Sequence, residues 1–203
     1  MNGPETRPSL LIQLRDPDRE EAWQEFSDVY RPVVYRMARR GGLQHSDAED
    51  LCQQVLTRVS RSIGQFESKP NRGSFRGWLH QITRNVMINM VTRDKSVRGS
   101  GDTGVHQLLY GQSDDSLDPS TAFDIEHRRA VFHWAADRVK EEVESSSWAA
   151  FWRTYVDGLS VAEVARELDK KQGTVRVARC RVFARIKLRV EQYEEDYDTG
   201  NPS

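Results

Sequence analysis

Apolar residues recur every three or four positions along two long stretches of this chain. The first runs from residue 9 to about residue 95, and the second from Phe123 to about Tyr193. Such spacing places the apolar side chains on one face of an α-helix. We find no run of alternating apolar and polar residues, which would indicate a strand, and no internal repeat. The pattern predicts an all-α protein in two parts.

The segment between these stretches has a different composition. Residues 96–122, SVRGSGDTGVHQLLYGQSDDSLDPSTA, are rich in Gly, Ser and Asp. These residues favour turns and flexible chain over packed helices. We therefore predict two small helical domains, residues 9–95 and 123–192, joined by a flexible linker over residues 96–122. A short acidic tail follows over residues 193–203.

The clearest predicted helix is SDAEDLCQQVLTRVSRSIGQF, which starts at Ser46. Ser46 and Glu49 have the spacing of a capping box, in which each side chain bonds the other's backbone amide. One face is apolar from Ala48 to Phe66, and we interpret Cys52 on that face as a core residue. The other face is left for solvent or a partner and carries Asp47, Asp50, Gln53, Gln54 and Arg58.

A further helix is predicted from about Phe75, after a break at Pro70 and Gly73. Its apolar positions form one stripe, and a second stripe is entirely polar. Amide side chains both donate and accept hydrogen bonds, so they suit base edges, and aromatic rings such as Phe75 and Trp78 suit stacking on unpaired bases. The polar stripe consists of Gln81, Asn85, Asn89 and Thr92.

Basic residues surround this polar stripe and would suit phosphates. They are Arg72, Arg76, Arg84, Arg93, Lys95 and Arg98. A solvated polar face beside a buried Trp explains the same composition equally well. The helix alone therefore leaves both interpretations open.

The second part contains the pattern of a helix-turn-helix, LSVAEVARELDKKQGTVRVARCRVFARI, over residues 159–186. Ser160 and Glu163 predict a second capping box. A turn is expected at residues 169–171, and the next helix has an apolar face that starts at Val175. Its opposite face is basic, which favours DNA binding over an ordinary helical hairpin with a solvated face.

Composition narrows the class of protein. Charged residues make up 30% of the 203 residues, and the formal net charge of −1 hides a run from Lys170 to Arg189 that contains basic residues and no acid.

Cys52 and Cys180 are distant and lack metal-ligand spacing, which favours a reducing cytoplasm. We see no signal peptide and no apolar run that would span a membrane. No catalytic, nucleotide-binding or metal motif occurs, so we expect neither catalysis nor a cofactor.

Together these segments resemble the extracytoplasmic-function (ECF) branch of bacterial sigma-70 factors. Three motifs in order carry the resemblance: DAEDLCQQVLTRVSRSIGQFE, GSFRGWLHQITRNVMINMVTRDK and GLSVAEVARELDKKQGTVRVARCRVFARI. The resemblance covers about residues 9–192. It implies that residues 9–95 form a region 2-like domain, which binds polymerase and opens the −10 element, and that residues 123–192 form a region 4-like domain, which reads the −35 element.

The resemblance also implies roles for particular residues. The β′ clamp helices of RNA polymerase would be contacted by Asp47, Glu49, Asp50, Leu51, Gln53 and Gln54. The −10 element would be held by Phe66, Asn71, Arg72, Ser74, Phe75, Trp78, Gln81, Arg84, Asn85 and Asn89. The −35 element would be contacted by Lys171, Gln172, Thr174, Arg176, Arg179 and Arg181. The implied partners are core RNA polymerase, through the β′ clamp helices and the β flap, and promoter DNA. Control by an anti-sigma factor is the family default.

Three positions depart from the common family pattern and leave the −35 sequence open. They are Asp169, where a turn glycine is usual, Lys171, where Ser or Thr usually caps the helix, and Ala178, where Arg is frequent. The alternative class is a stand-alone helix-turn-helix regulator whose N-terminal domain senses a ligand or dimerises. Arg36, Arg39 and Arg40 would then be effector contacts, although they fit a solvated helix face as well.

Overall fold

The computed structural model describes residues 8–66, 74–98 and 119–195. Every regular element in these ranges is helical, which confirms the predicted all-α class. A single turn of 3₁₀-helix, Ile63–Gln65, follows the third helix. The α-helices are α1 (Pro8–Gln13), α2 (Glu20–Arg40), α3 (His45–Ser62), α4 (Phe75–Arg98), α5 (Pro119–Glu142), α6 (Ser145–Tyr155), α7 (Val161–Glu167) and α8 (Gln172–Glu195).

The chain divides into two compact units, and the division falls inside α5. Residues up to Ala130 belong to the first unit, and Val131–Glu195 form the second. Helix also covers both ends of the segment expected to be a linker, because α4 continues to Arg98 and α5 begins at Pro119. Residues 99–118 and the tail beyond residue 195 lie outside the described ranges. Of the helices that the structure describes, none is long and apolar enough to cross a membrane.

The core of the first unit is built from the apolar stripes of α2, α3 and α4. Phe26 and Val33 of α2, Leu51 of α3 and Leu79 of α4 are all completely buried. Each helix contributes residues three, four or seven positions apart, so that a single face of the helix points inward. Cys52 is buried among them, as predicted, and its thiol lies 3.6 Å from the backbone oxygen of Arg31.

The first turns of α5 also enter this core. His127 is completely buried and stacks on Tyr30, with ring centroids 5.1 Å apart, and Phe123 packs against His80. Glu126 is only 1% exposed, and its carboxylate pairs with two arginines of α2. Its oxygens lie 2.5 Å from Nε of Arg36 and 3.5 Å from Nη2 of Arg40. Arg36 and Arg40 are therefore not open effector contacts, because a buried carboxylate pairs with both, although each side chain stays partly exposed.

The second unit packs α6, α7 and α8 around a small apolar core. Phe151 of α6, Val164 of α7 and Val175 of α8 are almost fully buried. Small residues, Ala150 and Ala165, lie where these helices meet. Farther along α8 the buried face continues to Tyr193. The core accounts for one face of α8 and leaves the others available for contacts outside the unit.

Candidate nucleic-acid interface

The N-cap of α3 lies two residues earlier than predicted. Gln44 occupies the N-cap position and no side chain caps the helix, so the predicted Ser46–Glu49 capping box is wrong. Ser46 lies inside the first turn, where its hydroxyl cannot reach the amides that a cap satisfies. Glu49 instead accepts a hydrogen bond from the guanidinium of Arg31 on α2.

The residues expected to contact polymerase fall into two groups on α3. Asp47, Asp50, Gln53 and Gln54 are exposed, and Glu49 is partly exposed beside its arginine. Leu51 is 0% exposed, because it belongs to the apolar stripe of the helix. Its side chain cannot contact a partner in this fold and can only support the helix that presents the others.

A row of exposed amides runs along α4. Gln81, Asn85 and Asn89 are all exposed, as predicted, and so are Arg84 and Thr92. Nε2 of Gln81 donates a hydrogen bond to Oδ1 of Asn85 at 3.2 Å. This bond orients both amides and leaves the Oε1 acceptor of Gln81 and the Nδ2 donors of Asn85 for an outside partner. At the start of the helix, the hydroxyl of Ser74 accepts a bond from the amide of Gly77, so Ser74 acts as a cap.

The aromatic residues at the start of α4 pack on one another and on α2. Phe75 is 5% exposed, and its ring centroid lies 5.4 Å from those of Phe66 and Trp78. Phe75 also contacts Phe26 and Tyr30. The expectation that Phe66 and Phe75 stack on an unpaired base therefore does not fit their burial, and both anchor α4. Trp78 is the partly exposed member of this group. Asn71 and Arg72, also expected at this site, lie outside the described residues.

Arg76 is a second correction to the expected site. The sequence predicts that Arg76 binds phosphate. In the structure its side chain is 6% exposed and lies 3.3 Å from the carboxylate of Asp124 on α5. A cation held in this way stabilises the contact between α4 and α5. Sequence reasoning missed its partner because 48 residues separate the two. It also missed Thr83, which is buried and donates to the backbone oxygen of Leu79.

A groove lies between the exposed face of α3 and α4. Residues from both helices line it, with Val86 at its floor. Asn89, the last amide of the α4 row, lies on one side of the groove. The α3 side is lined by Asp50, Gln53, Gln54, Thr57, Arg58 and Arg61. The groove therefore joins the face expected to meet polymerase to the amide row expected to meet DNA.

The second unit contains two helices, α7 and α8, in the order expected for a helix-turn-helix, with residues 168–171 between them. The hydroxyl of Ser160 accepts from the amide of Glu163 at 3.2 Å, and the Glu163 carboxylate accepts from the amide of Ser160 at 2.8 Å. This reciprocal capping box is confirmed, and it lowers the pKa of Glu163 through the side-chain and backbone hydrogen bonds to Ser160. In the turn, Asp169 adopts a left-handed conformation with φ of 50°, which glycine adopts most readily and Asp tolerates.

Most residues expected at the −35 element lie exposed at the start of α8 or along its basic face. The exposed ones are Lys171, Gln172, Thr174, Arg176 and Arg181. Arg179 is only partly exposed, and its guanidinium carbon lies 5.3 Å from the ring centroid of Tyr155 on α6. Tyr155 stacks in turn on Phe183, and both rings are about half exposed. This cation–aromatic contact was not foreseen, because Tyr155 precedes the helix-turn-helix motif. Within the described part of the chain, no group of three or more His, Cys, Asp or Glu could hold a metal.

The fold and surfaces define a class: an all-helical protein with an exposed amide row on one unit and a basic helix after a tight turn on the other. Residues 27–97 match the sigma-70 region 2 family. The ECF RNA polymerase sigma factor SigE of Mycolicibacterium smegmatis is 32% identical over 156 residues, which cover 76% of this chain and 56% of SigE. The chain thus matches little more than half the length of that relative.

Two other relatives are matched over most of their length. The ECF RNA polymerase sigma factor RpoE of Cereibacter sphaeroides is 24% identical over 187 residues, which cover 92% of each protein. The ECF RNA polymerase sigma factor SigX of Bacillus subtilis is 24% identical over 181 residues, which cover 87% of this chain and 88% of SigX. Residues 27–97 thus belong to the sigma-70 region 2 family, and the chain is similar over most of its length to ECF RNA polymerase sigma factors.

Proposed function

We propose that this protein is a promoter-specificity subunit that binds core RNA polymerase and directs promoter recognition, DNA opening and transcription initiation. The observation that carries the proposal is the exposed amide row of α4, Gln81, Asn85 and Asn89, beside the exposed acidic and amide face of α3. A regulator that binds only duplex DNA through α7 and α8 would not need this arrangement in the first unit. Because such a subunit acts within RNA polymerase, we expect it in the cytoplasm.

The N-terminal half of α3 supplies the proposed polymerase contact. Asp47 and Asp50 are exposed carboxylates, and Gln53 and Gln54 continue the same face with neutral amides. Exposed acids of one sign meet a basic partner surface with favourable steering and specificity. In the family, that surface is formed by the clamp helices of the β′ subunit. On the opposite face of the helix, the buried Leu51 anchors α3 in the core.

The amide row of α4 would read unpaired bases of the −10 element. Opening a base-pair step costs about 1.4 kcal/mol of stacking, and a well-placed bidentate amide contact contributes about 1–3 kcal/mol of base discrimination. A few such contacts can therefore offset the stacking lost over several steps. No proton transfer or bond cleavage is involved, so no catalytic group is needed. The buried cluster around Phe75 fixes the start of α4 and thereby the direction of the row.

The start of α8 would enter the major groove of the −35 element. In helix-turn-helix proteins, side chains near the N-terminus of the second helix reach base edges. Gln172, Thr174 and Arg176 are exposed there, and Lys171 lies just before the helix. The capping box of α7 and the left-handed Asp169 hold the turn that presents them.

Run-off transcription tests this proposal. Purified core polymerase is supplied with this protein and a library of genomic upstream fragments, and start sites are mapped. We expect new, discrete start sites that are lost in an Asn85→Ala/Asn89→Ala variant. Gln24→Ala is the matched control, since Gln24 is an exposed amide on α2, and it should leave the start sites intact.

Two outcomes would contradict the proposal. The first is transcription that depends on the protein but is unaffected by loss of both asparagines, which would leave the amide row without a role. The second is the absence of any start site together with sequence-specific duplex binding by the protein alone, which would identify a stand-alone regulator. A further variant, Arg176→Ala, should weaken use of promoters in proportion to their reliance on the −35 element, by about 1–3 kcal/mol if it contacts guanine.

A further inference from the structure

The exposed face of α3 changes sign along its length. Its N-terminal half carries Asp47 and Asp50, whereas its C-terminal half carries Arg58 and Arg61. At a rise of about 1.5 Å per residue, Arg58 lies about 12 Å along the helix from Asp50. A single partner surface would need to be basic at one end and acidic at the other within that short distance. Two separate partners of opposite charge would complement the two halves of the helix without this requirement.

The two arginines have no acidic partner on their own helix. Arg58 and Arg61 are three residues apart, so their side chains are neighbours on the helix surface, and like charges at this spacing destabilise a helix slightly. Four residues away on either side lie Gln54, Ser62, Thr57 and Gln65, none of them acidic. Among the described residues, no ion pair involves either arginine. Other arginines of this unit, such as Arg31 and Arg36, do have carboxylate partners.

The position of the pair indicates which partner would neutralise it. Arg58 and Arg61 line the groove between α3 and α4, and Asn89 lines the same groove. A strand whose base meets the amide of Asn89 would bring its phosphates close to this wall. Guanidinium groups that are exposed and unpaired are the side chains that phosphate oxygens bind most readily.

We propose that Arg58 and Arg61 bind the phosphate backbone of the promoter strand whose bases the α4 amide row reads. This inference rests on the proposed function and deepens it. The groove is then a boundary: polymerase meets the acidic half of α3, and nucleic acid meets the basic half. The two arginines hold the strand in register with Asn89 and carry no sequence information themselves.

Salt dependence of open-complex formation tests this role. Full-length Arg58→Gln/Arg61→Gln protein is assembled with core polymerase on a promoter identified by run-off transcription. Each phosphate contact on a single strand contributes about 0.7 to the slope of log K against log salt. Loss of two contacts should reduce the slope by about 1.4, so a fourfold rise in salt weakens the variant about 7-fold less than the wild type. Affinity for core polymerase, measured by anisotropy of the labelled protein, should not change.

Two further variants make the result specific. Arg58→Lys/Arg61→Lys keeps both charges and should restore most of the wild-type slope, which a purely structural role for the arginines would not predict. Arg19→Gln/Lys140→Gln removes two exposed charges elsewhere and should leave the slope unchanged.

An unchanged slope in the Arg58→Gln/Arg61→Gln variant overturns the inference. A loss of affinity for core polymerase also overturns it, because it assigns both halves of α3 to polymerase. If the wild-type protein itself directs no transcription, the proposed function fails as well, so the two failures are distinguishable.

Discussion

The buried carboxylate of Glu126 offers the sharpest test of how the first unit is held together. Glu126 is 1% exposed and pairs with Arg36, Arg40 and Arg129, whose side chains are 31%, 36% and 53% exposed. Removing one partner of a fully buried ion pair costs about 3–5 kcal/mol. Here the arginines can turn partly to water, which reduces the penalty. We expect Glu126→Ala to lower the free energy of unfolding of the first unit by about 2–3 kcal/mol.

Hydrogen exchange measures this change within the full-length chain. Amides of α2 and α3 report the opening of the first unit, and amides of α7 and α8 report the second unit separately. The first group should exchange faster by the factor that matches 2–3 kcal/mol, about 30- to 160-fold, whereas the second group should be unaffected. Glu21→Ala, an exposed carboxylate on α2, is the control and should change stability by less than about 0.5 kcal/mol.

A double variant separates charge from packing. Glu126→Leu/Arg36→Met replaces the pair with apolar groups of similar size, and such replacements are often neutral or stabilising. We therefore expect it to recover much of the loss seen in Glu126→Ala. The reasoning is refuted if Glu126→Ala changes exchange of α2 and α3 no more than Glu21→Ala does. It is also refuted if the apolar pair is as damaging as the single alanine, since charge would then not be the cause.

Three further predictions follow from buried and capping groups. Burial, with Arg76 and Arg128 nearby, lowers the pKa of His127 from 6.5 to about 3, so the unfolded chain binds more protons between these values and stability should fall as the pH drops from 6.5 towards 3. Denaturation series at several pH values should show this slope, up to about 1.4 kcal/mol per pH unit, and His127→Phe should flatten it. Burial raises the pKa of the Cys52 thiol to about 11, so at pH 8 iodoacetamide should modify exposed Cys180 and spare Cys52, as read by peptide mass spectrometry; equal labelling would contradict the assigned burial. Ser160→Ala should cost the second unit about 1 kcal/mol by removing the cap of α7, which exchange of the α7 amides would detect, and an unchanged rate would show that the cap is dispensable.

Local signals in the sequence predicted local structure correctly. The Ser160–Glu163 box depends only on a side chain and backbone three residues apart, and it forms as predicted. The turn that begins at Asp169 and the buried stripe of α8 are of the same kind. The exposed amide row also follows from helical spacing alone, because residues four positions apart share a face. These features can be predicted without knowing which helices pack against one another.

Features that depend on distant partners could not be predicted in this way. Ser46 and Glu49 have the same spacing as the box that forms, yet Arg31, 18 residues earlier, takes the Glu49 carboxylate. Phe75 and Arg76 are of residue types that are common on nucleic-acid-binding surfaces. In the structure, however, they are buried against α2 and α5. Composition showed that these groups were present. Only the packing shows which of them remain accessible.

The course of α5 bears on how the parts of this protein could be exchanged with those of relatives. The helix runs unbroken through the division between the units, and its residues up to Ala130 belong to the first unit. A chimaera joined at residue 122 would place foreign side chains opposite Tyr30, Arg36 and Arg76, in place of His127, Glu126 and Asp124. Recombination would thus leave the buried Arg76 and the partly exposed Arg36 without their carboxylates unless the crossover fell beyond Ala130. The second unit is therefore transferable as a module only when the first turns of α5 stay with the first unit.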